Sequence, residues 1–152
     1  MKVRELMSRQ VVPIGTADSC REAMARMHKI RIRHLPVLNR DGLLVGVITD
    51  RDLRHYLFSP PVFRDLGATS VDILFKAVPV ARIMSTDVVA TEPDADVADA
   101  ARLMVEEKVG SLPVLENSRV VGMLTETDVL RKVVRADATC APECAEIIIS
   151  YP

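Results

Sequence analysis

A chain of 152 residues with a formal net charge of −1, 49% hydrophobic and 27% charged, has the size of one domain or two small ones. Its near-neutral charge argues against a field that would gather nucleic acid or hold the chain to an anionic membrane. No apolar run reaches the ~20 residues of a membrane-spanning helix, and the opening MKVRELMSRQ lacks a secretory leader's apolar core, so a cytoplasmic protein is expected.

In chain order, Val3–Ser8 forms a short helical or extended lead, and Val11–Ile14 is rich in strand formers. Thr16, Asp18 and Ser19 supply side-chain oxygens for a helix start. Cys20, Ala23, Met24 and Met27 then recur at the spacing of one helix face. A thiol on that face is a buried structural group. Arg26, Lys29, Arg31, Arg33 and His34 make the end of this helix basic, with no carboxylate between them. Leu35–Leu38 and Leu43–Thr49 read as strands joined through Asn39-Arg40-Asp41-Gly42, whose Asp-Gly is a hairpin signal. A helix follows near Asp50, with Leu53, Tyr56 and Leu57 as its apolar side.

Phe58–Pro79 reads as a connection containing Pro60-Pro61 and a helical patch at Val71–Ala77. The first pattern then returns. Val80–Ser85 is a second lead and Val88–Thr91 a second strand-rich run, with Thr91 and Asp94 as helix-start residues. Val97, Ala100, Ala101 and Met104 share a helix face. Leu112–Leu115 and Val120–Thr125 are strands, and a last helix near Glu126 carries Val129, Leu130 and Val133. Leu35-Pro36-Val37-Leu38 recurs 77 residues later, and Val45 to Asp52 recurs 76 residues later as Val121 to Asp128, so one deletion in the hairpin loop separates the copies. This is an internal duplication of a β-α-β-β-α unit. The expected divisions are residues 1–58, 59–79, 80–135 and a tail, 136–152, whose three isoleucines (Ile147–Ile149) are expected to pack on a neighbouring surface or add a strand at a sheet edge. Cys140 and Cys144 have no His or further Cys nearby, so a zinc site is not expected.

The copies also agree in polar residues, which a core alone does not require. Gly46, Thr49 and Asp52 match Gly122, Thr125 and Asp128, each set at a strand-to-helix junction. A helix start attracts phosphate, and a carboxylate one turn in can accept both hydroxyls of a ribose. Thr and Asp there are equally ordinary capping residues; the duplication is what raises the pair above that reading. His28, His34 and His55 share no motif with a nucleophile, and no P-loop is present, so no catalysis is expected.

The Met-Ser leads, the Ala-x-x-x-Met helices, the two LPVL strands and the two G-x-x-T-x-x-D junctions together resemble a tandem of CBS domains over Val3 to Val134. The resemblance implies an α/β (α+β) fold of two β-α-β-β-α repeats packed with pseudo-twofold symmetry, small sheets covered by helices. It also implies a stand-alone regulatory module and a homodimer that signals to a client protein. The implied ligands are AMP, ADP, ATP or S-adenosylmethionine, held in clefts between the repeats, with no required cofactor and Mg²⁺ an optional companion. Carried onto this chain, Asp52 and Asp128 would hold ribose hydroxyls, and Thr49 and Thr125 would face phosphate or ribose. Ile32, Arg33 and His34 would line the first cleft, Val109, Gly110 and Ser111 the second. Thr16 to Asp18 would lie near the adenine of the opposite repeat's site. Because Arg33-His34 faces Gly110-Ser111 in the alignment, the Asp52 cleft would prefer phosphorylated ligands, with His34 aiding when protonated. The alternatives are a dimerisation module with vestigial clefts and a nucleic-acid-binding module using the Arg26–His34 surface.

Overall fold

A computed structural model describes residues 1–59, 62 and 71–136. Repeat 1 contains β1 (Ile14–Gly15), α2 (Cys20–Ile30), β2 (His34–Leu38), β3 (Leu44–Thr49) and α3 (Asp50–Leu57), preceded by the short α1 (Val3–Leu6). The connection holds α4 (Val71–Ala77) and a 3₁₀ turn, Val80–Arg82. Repeat 2 contains α5 (Val97–Glu107), β4 (Ser111–Glu116), β5 (Arg119–Thr125) and α6 (Glu126–Ala136). The architecture is mixed α/β, two small sheets covered by helices, as the duplication implies.

β2 and β3 pair antiparallel from His34↔Thr49 to Leu38↔Leu44, and β4 and β5 pair likewise from Ser111↔Thr125 to Glu116↔Arg119. Both ladders carry an irregularity one residue before the last LPVL leucine. The hairpin loops close differently. In repeat 1 the Asn39 side chain accepts from the Asp41 and Leu43 N–H groups, and Gly42 takes φ 76°. In repeat 2 the loop shrinks to Asn117 and Ser118, both at positive φ, which suits the tight two-residue hairpin.

The expected strands Val11–Ile14 and Val88–Thr91 are shorter than read. Only Ile14–Gly15 joins the sheet, parallel to β2, and in repeat 2 a single Thr91↔Val114 bridge remains. The helix-start expectation also needs correction in repeat 2. Ser19 caps α2 by accepting from the Glu22 N–H at 3.2 Å, but α5 is preceded by Asp96, whose side chain makes no cap. Lys2 holds the Asp96 carboxylate at 3.1 Å, Arg4 holds Asp94 at 2.6 Å, and Thr91 is occupied in its bridge.

The packing units do not coincide with the sequence repeats, because the leads are exchanged. Val3 is fully buried among Ala100, Met104, Leu112, Val114 and Leu124 of repeat 2. Its N–H donates to the Ala95 carbonyl, and Ser8 pairs with Met123 on β5. Reciprocally, Val78 and Val80 belong to the core of Ile14, Cys20, Ala23, Met27, Leu35, Val37, Ile48, Leu53 and Phe75, and Ser85 pairs with Val47 on β3. Gly46 and Gly122 permit these crossings. A Cβ on Gly46 would meet Met84 Sδ at 2.6 Å and the Ser85 carbonyl oxygen at 2.9 Å. One on Gly122 would meet Met7 Sδ at 2.5 Å and the Ser8 oxygen at 3.0 Å. Each lead thus adds a strand-like edge to the other repeat's sheet, and two halves too small to be stable alone share their cores.

Cys20 is fully buried, and burial pushes its thiol up to about 11, as expected of a structural residue. Cys140, Cys144 and the isoleucine tail lie outside the described residues, as does Pro60-Pro61. No helix among the described residues is long and apolar enough to cross a membrane.

Candidate functional site

The two polar junctions are built alike. Thr49 precedes α3, and its hydroxyl accepts from the Asp52 N–H at 3.1 Å. Asp52 Oδ2 in return accepts from the Thr49 N–H at 2.8 Å and from the Thr49 hydroxyl at 2.7 Å. This reciprocal arrangement is a capping box. Thr125 and Asp128 repeat it at 3.3, 3.0 and 2.6 Å. The threonine proton is therefore spent on the aspartate. Thr49 has no proton left for a phosphate; it orients the carboxylate instead. Asp52 keeps Oδ1 without a hydrogen bond among the described residues.

Asp52 opens onto a cavity of about 640 Å³ between the repeats. Arg33, His34, Val47, Thr49 and Asp52 come to it from repeat 1, and Val109, Gly110, Ser111 and Glu126 from repeat 2. Val88, Val89, Ala101, Met104 and Val129 give it an apolar side. Four cationic side chains (Arg33, Arg51, Arg54, Lys108) face four carboxylates (Asp50, Asp52, Asp87, Glu126), so the lining is balanced in charge. Asp50 is answered on its own helix by Arg54 at 2.8 Å.

Of the residues expected to bind ligand, Arg33, His34, Thr49, Asp52, Val109, Gly110 and Ser111 meet in this one cavity. The two pre-strand segments face each other here, with His34 Nε2 3.5 Å from where a Gly110 Cβ would stand. Thr125 and Asp128 do not line the cavity. Ile32 packs on the repeat 1 core. Asp18 folds back onto the Gly15 N–H at 2.9 Å, and the Thr16 carbonyl accepts from Ala81 N, so these two serve the exchanged lead rather than the cavity. The cavity instead receives Ser85, Asp87, Val88 and Val89, which the lead exchange carries across.

Arg33 is not a free cation. Its guanidinium lies 3.9 Å from Glu126 Oε1 and donates a long 3.5 Å hydrogen bond to the Thr127 hydroxyl. Burial, and then the Arg33 charge, hold the His34 imidazole below its ordinary value, against the opposing pull of Asp50, Glu126 and Asp52. His34 is thus a neutral hydrogen-bonding group near pH 7. No group of three or more His, Cys, Asp or Glu side chains suited to a metal occurs among the described residues.

Comparison with known proteins places these features in context. A CBS domain-containing protein of Dictyostelium discoideum is 35% identical over 93% of this chain and 97% of its own length. The chain spans only 44% of an uncharacterized protein of Thermofilum pendens (34% identical) and 32% of one of Methanocaldococcus jannaschii (31% identical). Among solved structures, the CBS domain pair of protein MJ0100, in complex with 5′-methylthioadenosine and S-adenosyl-L-methionine, superposes with a TM-score of 0.72 at 25% identity, covering 90% of this chain and 98% of that one. Protein MJ1225 of Methanocaldococcus jannaschii, a proposed archaeal homolog of g-AMPK, gives a TM-score of 0.76 at 28% identity over 87% of this chain and 47% of that one. The CBS domain profile matches residues 3–59 and 80–148, and this chain belongs to the CBS domain family as a tandem pair.

Proposed function

We propose that this chain is a regulatory module that binds an adenosine-containing ligand in the Asp52 cavity and passes its state to a partner protein. The observation that carries the reading is the Asp52 carboxylate. It is fixed by two hydrogen bonds from Thr49, and Asp52 lines a cavity of about 640 Å³ with an apolar side. That volume falls within the roughly 300–1,000 Å³ of small-molecule sites. A held carboxylate suits a vicinal diol, and the apolar side suits a purine. The adenosyl ligands of the MJ0100 CBS pair support the ligand class. The neutral His34 and the capped Thr49 offer hydrogen bonds and positioning, which is the equipment of recognition rather than of bond cleavage.

Calorimetric titration with adenosine, 5′-methylthioadenosine, AMP, ATP and S-adenosylmethionine tests the reading. At least one should bind, and Asp52→Ala should weaken it by about 1.5–3 kcal/mol, the worth of a hydrogen bond to a charged group. Unchanged affinity in Asp52→Ala would reject the assignment.

The same module is proposed to act as a homodimer. Val105 on α5 and Leu130, Val133 and Val134 on α6 are 54–76% exposed, an apolar face that a monomer leaves wet. Sedimentation at micromolar concentration should give a dimer that Leu130→Glu dissociates; a monomeric wild type would contradict it.

A further inference from the structure

The two helix starts differ in how their first acidic residue is neutralised. In α3, Asp50 has Arg54 four residues on and pairs with it at 2.8 Å. In α6, Glu126 has Leu130 at that place and no cation on its own helix turn. Glu126 turns across the repeat boundary to Arg33, 3.9 Å away. The relation is one-sided, because the position matching Arg33 in repeat 2 is Gly110, which has nothing to offer Asp50. Gly110 leaves the room that Glu126 uses: a Cβ there would lie 3.5 Å from the Glu126 carboxyl carbon.

We infer that Glu126 is the charge discriminator of the Asp52 cavity, engaging Arg33 so that an adenosine compound uncharged at its 5′ end is taken in preference to a nucleoside polyphosphate. The inference rests on the adenosine reading above and adds to it the ligand's charge and the residue that sets it. A phosphate entering beside Arg33 must displace Glu126 and then remain next to its carboxylate. The pair itself is weak, since both side chains are more than half exposed, at 58% and 57%. The expected discrimination is correspondingly modest, and it acts through the Arg33 charge that Glu126 engages. Removing the Glu126 charge changes the lining from balanced to net positive, a change that favours phosphate and leaves an uncharged 5′ group nearly indifferent.

The test is calorimetry on the full chain with adenosine, 5′-methylthioadenosine, AMP and ATP, using wild type, Glu126→Gln, Arg33→Ala and the double variant. Wild type should bind 5′-methylthioadenosine at least as tightly as ATP. Glu126→Gln should raise AMP and ATP affinity relative to adenosine by roughly 3- to 10-fold, with adenosine itself within about twofold. On the Arg33→Ala background the same change should gain no more than about twofold, because the cation it releases is gone. ATP binding about ten times tighter than 5′-methylthioadenosine to wild type would overturn the inference. An unchanged AMP-to-adenosine ratio in Glu126→Gln, or the full gain without Arg33, would do so too. If none of the four compounds binds wild type or Glu126→Gln, the adenosine reading itself fails and the discriminator falls with it.

Discussion

Thr49 and Thr125 do the same work at the two helix starts, yet only one stands at the cavity. Each hydroxyl accepts from an aspartate N–H and donates to that aspartate's carboxylate. Thr49→Val and Thr125→Val should therefore each lower stability by about 1 kcal/mol, the usual worth of such a cap. Only Thr49→Val should also weaken the ligand, because Asp128 does not line the cavity. Urea denaturation and titration of both variants separate the two effects; equal losses of affinity would contradict the assignment. His34 supplies a prediction in pH. Its pKa is lowered in the folded chain, by burial first and by Arg33 second. Below its unfolded value the unfolded chain binds the proton that the folded chain refuses, so stability falls as pH drops. The contribution is whole above about pH 6.5 and is lost toward the lower folded value. The difference in Tm between wild type and His34→Gln, followed from about pH 8 to about pH 5.5, should shift against wild type on acidification. A constant difference would show that His34 does not titrate differently on folding.

At the scale of elements, the exchanged leads make the fold. Their crossing points are Gly46 and Gly122, where a β-carbon would run into a methionine sulfur and a backbone oxygen of the other repeat's lead. A methionine side chain can move aside, but the backbone oxygens at 2.9 and 3.0 Å cannot without lifting the lead. Gly46→Ala should cost about 1–3 kcal/mol, in the range of an overpacked core, and loosen Ser85–Val89 at the cavity floor. Hydrogen exchange at Ser85 and Val47, whose amides bond across the crossing, should rise; unaltered exchange and stability would contradict the packing argument. Much of each element was legible in the sequence. LPVL and the V-G strands are read to within a residue, because short apolar runs bounded by turn residues leave little room for other ends. The starts of α3 and α6 are read from Thr and Asp. The exchange was not legible, since both leads match either sheet equally well, and only the chain's path decides which one each joins. The same blindness applies to Asp94, which reads as a helix-start residue while Arg4 holds it from the other repeat.

For the whole molecule, the Asp52 cavity draws unequal walls from the two repeats. Arg33-His34 and Gly110-Ser111 are equivalent in sequence, and the pseudo-twofold axis sets them against each other. The sequence showed the asymmetry but assigned its charge to the first repeat alone. Glu126 escaped notice because its role depends on a missing neighbour on its own helix and a present one across the axis. The cavity is lined by residues of both repeats and by Ser85 of the second exchanged lead, so a ligand filling it would bear on both repeats and on that lead. A crystal structure of the full chain with 5′-methylthioadenosine tests this account most directly. The ribose hydroxyls should lie within hydrogen-bond distance of the Asp52 carboxylate, with adenine against Val88, Val89 and Met104. A ligand held by Asp128 instead, with the Asp52 cavity bare, would contradict it.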